Sequence, residues 1–153
     1  MTVLGFRSDP KTPRYAIIGG AAVPFSLINA DTESRLCFPA DCTSEDARIT
    51  WLYREFERIF HTHPDIHRVV IKKGEFTQGD NNAKRMASYQ EAALLLYCGL
   101  HNKPVLTKIY TSLNTKSAHV RDHAIARVGQ TTRYWDGKMA DAVVAAWWGM
   151  TNP

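Results

Sequence analysis

Val69-Val70-Ile71-Lys72-Lys73-Gly74 is the stretch on which the fold prediction depends, because an apolar run ends abruptly in two cations and a glycine. β-branched residues without polar alternation are typical of a central strand that is buried on both faces. In open α/β sheets, ligands bind at the carboxyl ends of such strands. Lys72 and Lys73 therefore mark a candidate binding site at the end of a strand predicted near residues 67–72.

The rest of the chain predicts the order β-β-β-α-β-α-β-α-α around this strand. A strand, a helix and a second strand over this length form a right-handed parallel unit. The middle of the helix after Gly74, residues 92–98, is apolar nearly all round, which predicts that it is well buried. The predicted strands cover residues 2–7, 14–19, 25–29, 67–72 and 104–110, and the predicted helices cover about 43–63, 83–100, 115–128 and 137–148.

Length and composition place the chain among ordinary globular proteins. Its 153 residues suit a single domain over 1–153 with a core of its own. A net charge of +4 permits contact with nucleic acid or phosphate without requiring it. No apolar run reaches about 18 residues, so no membrane span is predicted. An odd number of cysteines without a secretory leader predicts reduced thiols and a cytoplasmic location.

Three short patterns resemble the RuvC-like branch of the ribonuclease-H-like fold. Val3-Leu4-Gly5-Phe6-Arg7 matches a first strand of the form apolar-apolar-Gly-apolar-Asp, except at its end. The family's fourth strand ends Ile-Glu, where this chain has Ile71-Lys72 after Val69-Val70. The family's last helix carries Asp-x-x-Asp-Ala, where this chain has Lys138-Met139-Ala140-Asp141-Ala142. The segment Arg68–Lys73 and the helix start Thr43-Ser44-Glu45-Asp46 also look like an uncharacterised bacterial group of this fold. The resemblance implies an α/β protein with a mixed five-stranded sheet, three antiparallel strands followed by two parallel ones, and helices on both faces.

Most of the carboxylates implied by this resemblance are replaced. Resolvases of this branch use four carboxylates to hold two Mg²⁺ ions, roughly 4 Å apart, against a phosphodiester. Three of the four matching positions here are Arg7, Lys72 and Lys138, and only Asp141 remains. Since hard divalent cations need anionic oxygen ligands, this pocket is expected to repel Mg²⁺.

The leading hypothesis is a non-catalytic protein that binds nucleic acid or another phosphate ligand in a basic pocket, with no metal and no cofactor. Arg offers a fork of donors and Lys a point charge, both of which suit phosphate. Further cations beyond the strand would extend a basic track along a nucleic-acid backbone. The candidate residues are Arg7, Lys72, Lys73, Lys84, Arg85, Lys138 and Asp141.

A second hypothesis is a structural or interaction protein whose cations are neutralised internally. Asp9, Glu75 and Asp141 lie close in sequence to Arg7, Lys72 and Lys138 and are the expected partners. The last helix carries the adjacent tryptophans at 147 and 148, about 100° apart around the helix, which cannot both point at one core. One of them, Trp147 or Trp148, is therefore a candidate anchor for a homodimer.

A third hypothesis is a metal-dependent nuclease with shifted carboxylates, namely Asp9, Glu75, Asp136 and Asp141. A slip of two residues along a strand moves a side chain by about 7 Å, which is too far for a metal ligand. Asp136 precedes the last predicted helix and is better explained as its N-cap. The sequence therefore favours the first two hypotheses over this one.

Overall fold

The computed structural model describes residues 1–153 and contains five strands, four α-helices and one short 3-10 helix. The strands are β1 (Thr2–Arg7), β2 (Arg14–Gly19), β3 (Ser26–Leu27), β4 (Ile66–Lys72) and β5 (Val105–Lys108). The helices are α1 (Glu45–Thr62), α2 (Asn82–Leu100), α3 (Val120–Arg127) and α4 (Gly137–Thr151), with the 3-10 helix at Thr111–Leu113. This order confirms the predicted succession of elements.

The five strands form one mixed sheet in the order β3-β2-β1-β4-β5. β1 is central and runs antiparallel to β2 and parallel to β4, with Arg7 opposite Lys72 at its carboxyl end. β5 continues the parallel half and places Lys108 beside Lys72. The predicted sheet of the ribonuclease-H-like fold is thereby confirmed, and three parallel strands deliver their last residues to one edge.

Two apolar layers enclose the sheet, because side chains alternate between its faces. Leu4 and Phe6 of β1 pack with α1 and α2, and the Phe6 and Phe56 rings meet edge to face at 5.4 Å between centroids. Val3 of β1 packs on the other face with α3 and α4. Gly5 lets α4 approach closely, since a Cβ at this position would lie 2.0 Å from the Ala142 carbonyl oxygen. This close packing holds the middle of α4 against β1.

Three local predictions differ from the structure. β3 has only two residues, because the Asn29 side chain takes the place of a longer strand beside β2. The Asn29 Oδ1 accepts a hydrogen bond from Ile17 N at 2.8 Å, and the Asn29 Nδ2 donates one to Tyr15 O at 3.1 Å. α3 begins at Val120 and not near 115, because Asn114 adopts a left-handed conformation at φ 53° that ends the preceding 3-10 helix.

The third difference concerns α2, whose middle, residues 92–98, was predicted to be well buried but is buried on one side only. Met86, Leu94 and Cys98 face the core, but Leu96 and Leu100 are 57% and 63% exposed. α2 lies on the outside of the sheet beside α1, so only one of its faces meets the protein. None of the helices is long and apolar enough to cross a bilayer.

Candidate functional site

The sheet edge formed by the carboxyl ends of β1, β4 and β5 gathers the predicted site residues. Arg7 and Lys72 are direct neighbours in the register of the sheet. Asp141 lies on α4 against them, and its Oδ2 accepts a hydrogen bond from Arg7 Nε at 2.8 Å. Lys138, one turn earlier on α4, reaches the loop that follows β1. The structure thus places Arg7, Lys72, Lys138 and Asp141 near one another, as the sequence predicted.

Asp141 is almost completely buried and fully engaged by its neighbours. Besides Arg7, the Tyr110 hydroxyl donates to both of its oxygens, at 2.8 and 3.0 Å. Burial raises the pKa of Asp141, and the charges and hydrogen bonds of Arg7 and Tyr110 oppose this only in part. Burial and the Asp141 carboxylate likewise raise the pKa of Tyr110. The sequence analysis missed Tyr110, although its position just after β5 at the same edge was a usable signal.

Lys72 is a wholly buried cation. Its Nζ lies 3.2 Å from Glu75 Oε1, donates to the Lys73 carbonyl oxygen at 2.7 Å and stands 4.0 Å from the centre of the Tyr110 ring. Burial lowers the pKa of Lys72, because the charged ammonium is the form that loses hydration. With its side chain 0% exposed, Lys72 does not face solvent or a ligand in this arrangement.

A second set of ion pairs lies on the other side of Arg7. Asp9 binds the Lys138 ammonium and accepts from the Thr12 amide at 2.8 Å. Burial raises the pKa of Asp9, but the hydrogen bonds from Lys138 and Thr12 outweigh it and hold the pKa below its ordinary value. Arg14, at the start of β2, donates to Asp136 at 2.7 Å and lies 3.9 Å from Asp9. Arg14 was not among the predicted site residues, because it is the first residue of β2 and the site was predicted at the carboxyl ends of strands.

The resulting core of the site is electrically balanced. Four cations face four carboxylates, in the pairs Arg7–Asp141, Lys72–Glu75, Lys138–Asp9 and Arg14–Asp136. Internal pairing was one of the sequence hypotheses: the Lys72–Glu75 pair is confirmed, whereas Arg7 and Lys138 exchange their expected partners, since Arg7 pairs with Asp141 and Lys138 with Asp9. Asp136 also caps α4 as predicted, accepting from Met139 N at 2.8 Å.

This set of donors does not suit a hard divalent cation. Such ions require several carboxylate oxygens directed at one point. Both oxygens of Asp141 are taken by Arg7 and Tyr110, and a cation stands in each of the three other positions that matched the resolvase pattern. No group of three or more His, Cys, Asp or Glu side chains in the chain is arranged to hold a metal.

An open cleft of about 660 Å³ adjoins this balanced core, with which it shares Arg7, Lys138 and Glu75, and extends between the loop after β4 and the start of α2. Four cations line it, Arg7, Lys73, Lys84 and Lys138, against the two carboxylates of Glu75 and Glu91. Lys73 and Lys84 have no carboxylate partner, since Lys84 donates only to carbonyl oxygens.

Phe76 stands out at the rim of the cleft. Its side chain is 80% exposed, and the Lys73 ammonium lies 4.9 Å from the centre of its ring. Arg85, which the sequence analysis also placed in the track, lies outside the cleft lining and is paired with Asp80 at 2.6 Å. An exposed aromatic ring beside unpaired lysines combines a flat apolar surface with positive charge.

The two tryptophans of α4 are each covered by a cation of the same chain. Arg127 lies 4.4 Å above the Trp147 ring, and Lys108 lies 4.2 Å above the Trp148 ring. Both rings are partly buried against the α3–α4 layer of the core. A homodimer through this helix stays a prediction.

Comparison with solved structures shows the same fold in resolvases. Thermus thermophilus RuvC in complex with a Holliday junction substrate aligns with a TM-score of 0.76 at 13% identity, over 99% of this chain and 97% of the other. The yeast mitochondrial Holliday junction resolvase Ydc2 aligns at 0.65 and 14%, over 95% and 76%. Fowlpox virus resolvase with Holliday junction DNA aligns at 0.55 and 16%, over 99% of both chains.

Sequence comparisons give no corresponding match: no protein-family profile and no curated protein matches the chain. Identities of 13 to 16% establish the fold alone. The chain therefore has a RuvC-like ribonuclease H fold, as its short patterns indicated.

Proposed function

We propose that this chain binds the phosphodiester backbone of a nucleic acid in the cleft beside the β4–α2 loop, without a metal ion and without cutting it. The observation that carries this proposal is the composition of the cleft. Lys73 and Lys84 line it without a carboxylate partner, beside the paired Arg7 and Lys138, and an exposed phenylalanine stands at the rim. Positive grooves with exposed aromatic rings are the usual means by which proteins hold nucleic-acid strands without a sequence code.

The site divides into a buried scaffold and a binding rim. Lys72 and Asp141 belong to the scaffold, because both are buried and their charges are already matched. Lys73 and Lys84 belong to the rim, where neither forms an ion pair with a carboxylate. Phe76 supplies a stacking surface for an unpaired base, which is worth about 1–3 kcal/mol per base in single-strand binders.

The structural neighbours support nucleic acid as the ligand class. Two of the aligned structures, from Thermus thermophilus and fowlpox virus, contain a Holliday junction. A four-way DNA junction is therefore the first ligand to test, beside duplex and single-stranded DNA. The replacement of carboxylates by cations supports binding without the metal-assisted cleavage that a carboxylate site would perform.

The alternative is an interaction protein that uses no nucleic acid. The internal pairing of Arg7, Lys72 and Lys138 favours it, since these three charges need no ligand to be neutralised. A homodimer through Trp147 and Trp148 has less support, because cations of the same chain cover both rings. The unpaired lysines of the rim are the feature that this alternative leaves unexplained.

Binding titrations of a labelled four-way junction across a salt series test the proposal. We expect Lys73→Ala and Lys84→Ala each to weaken binding and to lower the slope of log affinity against log salt by about 0.7–0.9, one phosphate contact each. Phe76→Ala should weaken binding of single-stranded DNA roughly fivefold to a hundredfold without changing the slope.

Arg54→Ala is the matched control, because this exposed arginine on α1 lines no part of the cleft and forms no ion pair. It removes one positive charge from the molecule but no contact from the rim. If Lys73→Ala and Lys84→Ala keep the affinity and salt slope of the Arg54→Ala protein, the cleft is not the binding surface.

A further inference from the structure

A separate groove of about 560 Å³ lies between the loop after β3 and the loop before α4. It is lined by residues 30–35, Cys37 and residues 132–134, none of which lines the cleft or takes part in the ion pairs of the sheet-edge site. We propose that this groove, the Tyr134 groove, binds a nucleotide unit, that is, a base together with its phosphate. The ligand class rests on the proposed function, because the groove is a second place where the same kind of ligand can be held.

The two loops that form the Tyr134 groove are joined by hydrogen bonds. The Thr132 amide donates to the Ala30 carbonyl oxygen at 2.9 Å, and the Thr132 hydroxyl donates to the Asp31 carboxylate. Glu33, the other carboxylate of the lining, accepts from the Tyr15 hydroxyl at 2.6 Å and forms an ion pair with an arginine of α1. Both walls are therefore fixed before any ligand binds.

Two arginines in the groove keep their hydrogen-bond donors free. Arg35 and Arg133 form no ion pair, and neither side chain donates a hydrogen bond within the protein. Arg14 Nε is the one buried side-chain polar atom without a partner, so solvent reaches the unbonded nitrogens of Arg35. Since α1 neutralises Glu33, the two free guanidinium groups exceed the remaining carboxylate, Asp31, by one positive charge. One phosphate of a nucleic-acid strand carries the matching negative charge.

Tyr134 provides an aromatic surface in the same groove. The Arg35 guanidinium carbon lies 3.3 Å from the centre of the Tyr134 ring, and Tyr134 is still 51% exposed. The Tyr134 backbone is left-handed at φ 61°, which is costly for a residue other than glycine and is concentrated at functional sites. Stacking of a base on an aromatic ring and contact of guanidinium groups with phosphate are the usual means of holding a nucleotide. The groove offers both.

The position of Arg35 connects the groove to the edge of the sheet where the cleft lies. Arg35 stands opposite Arg14 across an isolated bridge, and Arg14 stands opposite Arg7 in the register of β1 and β2. Neighbouring strands are about 4.8 Å apart, so the backbone of Arg35 lies roughly 10 Å from that of Arg7. Charges along one strand of a DNA duplex are about 3.4 Å apart, so a few nucleotides span this distance. Because Arg7 lines the cleft, a strand bound there can place a neighbouring nucleotide in the groove.

Protection of Cys37 from alkylation tests the proposal, because this exposed thiol lines the groove. The wild-type protein is treated with iodoacetamide in the presence of single-stranded oligo(dA), deoxyadenosine monophosphate or inorganic phosphate at matched ionic strength, and peptide mass spectrometry follows each cysteine. We expect a nucleotide probe at about ten times its dissociation constant to slow the labelling of Cys37 roughly tenfold. Cys42 lines a different pocket and is the internal reference.

The three probes separate the possible ligands. Protection by oligo(dA) alone would support a nucleotide within a strand, and protection by the mononucleotide as well would support a site that also accepts a free nucleotide. Equal protection by inorganic phosphate would overturn a site for a base. Unchanged labelling of Cys37 with both nucleotide probes would overturn the groove as a binding site.

Variants of Tyr134 and Arg133 provide an independent measurement. Tyr134→Ala should weaken oligo(dA) binding roughly fivefold to a hundredfold, whereas Tyr134→Phe keeps the ring and should keep the affinity. Arg133→Ala should lower the slope of log affinity against log salt by about 0.7, with Arg54→Ala on α1 as its control. Arg133 is exposed and its side chain donates no hydrogen bond, so this variant is expected to fold even if Tyr134→Ala does not. An Arg133→Ala protein with the affinity and salt slope of Arg54→Ala would overturn the proposal.

The groove and the cleft can fail separately. Oligonucleotide binding that depends on Lys73 and Lys84 but leaves Cys37 unprotected would overturn the groove and leave the cleft in place. Protection of Cys37 by the mononucleotide, without any binding of oligonucleotides or junctions, would support the groove for a free nucleotide and would overturn the function proposed for the cleft.

Discussion

At the scale of single residues, the buried charges of the site have a structural role. A buried ion pair contributes little net stability relative to an apolar pair, but removal of one partner leaves an uncompensated charge and is costly. Asp141 faces Arg7 directly and also lies in the electrostatic field of Lys72. Its carboxylate is therefore expected to be needed for folding, whatever the ligand.

We predict that Asp141→Asn lowers the free energy of unfolding by about 3 kcal/mol, as expected when a buried pair loses one charge. Urea denaturation of the variant and the wild type measures this difference. Asp80→Asn breaks the exposed pair with Arg85 and should cost less than about 1 kcal/mol. Similar losses in the two variants would contradict a special role for the buried carboxylate.

Single residues of the site were predictable only where a local pattern carried them. Arg7 and Lys72 ended two apolar strands, and their proximity followed from the strand order. Arg14 begins its strand and Tyr110 follows a short edge strand, so neither position carries a pattern that is specific to a site. The burial of Lys72 was also missed, because a lysine at a strand end is usually exposed. Only the three-dimensional structure shows that Glu75 and Tyr110 contact its ammonium group.

At the scale of elements, the approach of α4 to β1 positions the site. A Cβ on Gly5 would lie 2.0 Å from the Ala142 carbonyl oxygen and 2.6 Å from the Ala146 amide nitrogen. Both are backbone atoms of α4, so no side-chain rotation relieves the overlap. The separation of helix and strand, and with it the distance from Arg7 to Asp141, depends on this glycine.

We predict that Gly5→Ala destabilises the protein by about 3 kcal/mol or more, because overpacking against backbone forces α4 away from the sheet. Gly74→Ala is the control, since a Cβ there meets nothing within 4 Å and the backbone is not left-handed. Thermal or urea unfolding of both variants gives the comparison. A Gly5→Ala protein as stable as the Gly74→Ala protein would show that α4 moves at little cost.

Elements were predictable where periodicity was long and regular, as in α1 and β4. The prediction failed where a single residue changed the local outcome, such as the left-handed Asn114 before α3. It failed for α2 because an apolar sequence does not reveal whether a helix has neighbours on one side or on two. The exposed Leu96 and Leu100 show that hydrophobic pattern and burial are separate properties.

At the scale of the whole molecule, the fold is shared with resolvases although few residues are. The alignment with Thermus thermophilus RuvC covers 99% of the chain, yet identity is only 13%. Fold and function are separable in this way because function depends on a few side chains placed on a common scaffold. The order of strands and helices was therefore predictable from sequence, whereas the pairing of the site charges required the structure.

We predict that the purified protein leaves four-way junctions uncut in Mg²⁺ or Mn²⁺, because cations occupy the positions that would carry metal ligands. Denaturing gels of a labelled junction, with a known resolvase as positive control, measure cleavage. Addition of EDTA should leave junction binding unchanged. Metal-dependent cutting by the wild-type protein that EDTA abolishes would instead establish the nuclease alternative.

The interlocking of the charge pairs has a consequence for how such a site can change during evolution. Arg7→Asp alone would set a second carboxylate against Asp141 in a buried place and remove its direct cation. Lys72→Glu alone would bring an acidic group against Glu75. Each single step towards a carboxylate site therefore passes through a destabilised intermediate, and the combined substitutions cluster four carboxylates that need a bound cation in place of the lost ion pairs. A site with ion pairs and a site with carboxylates can therefore occupy the same fold, but the effect of each substitution depends on the others. This epistasis favours the persistence of whichever kind of site a lineage already has.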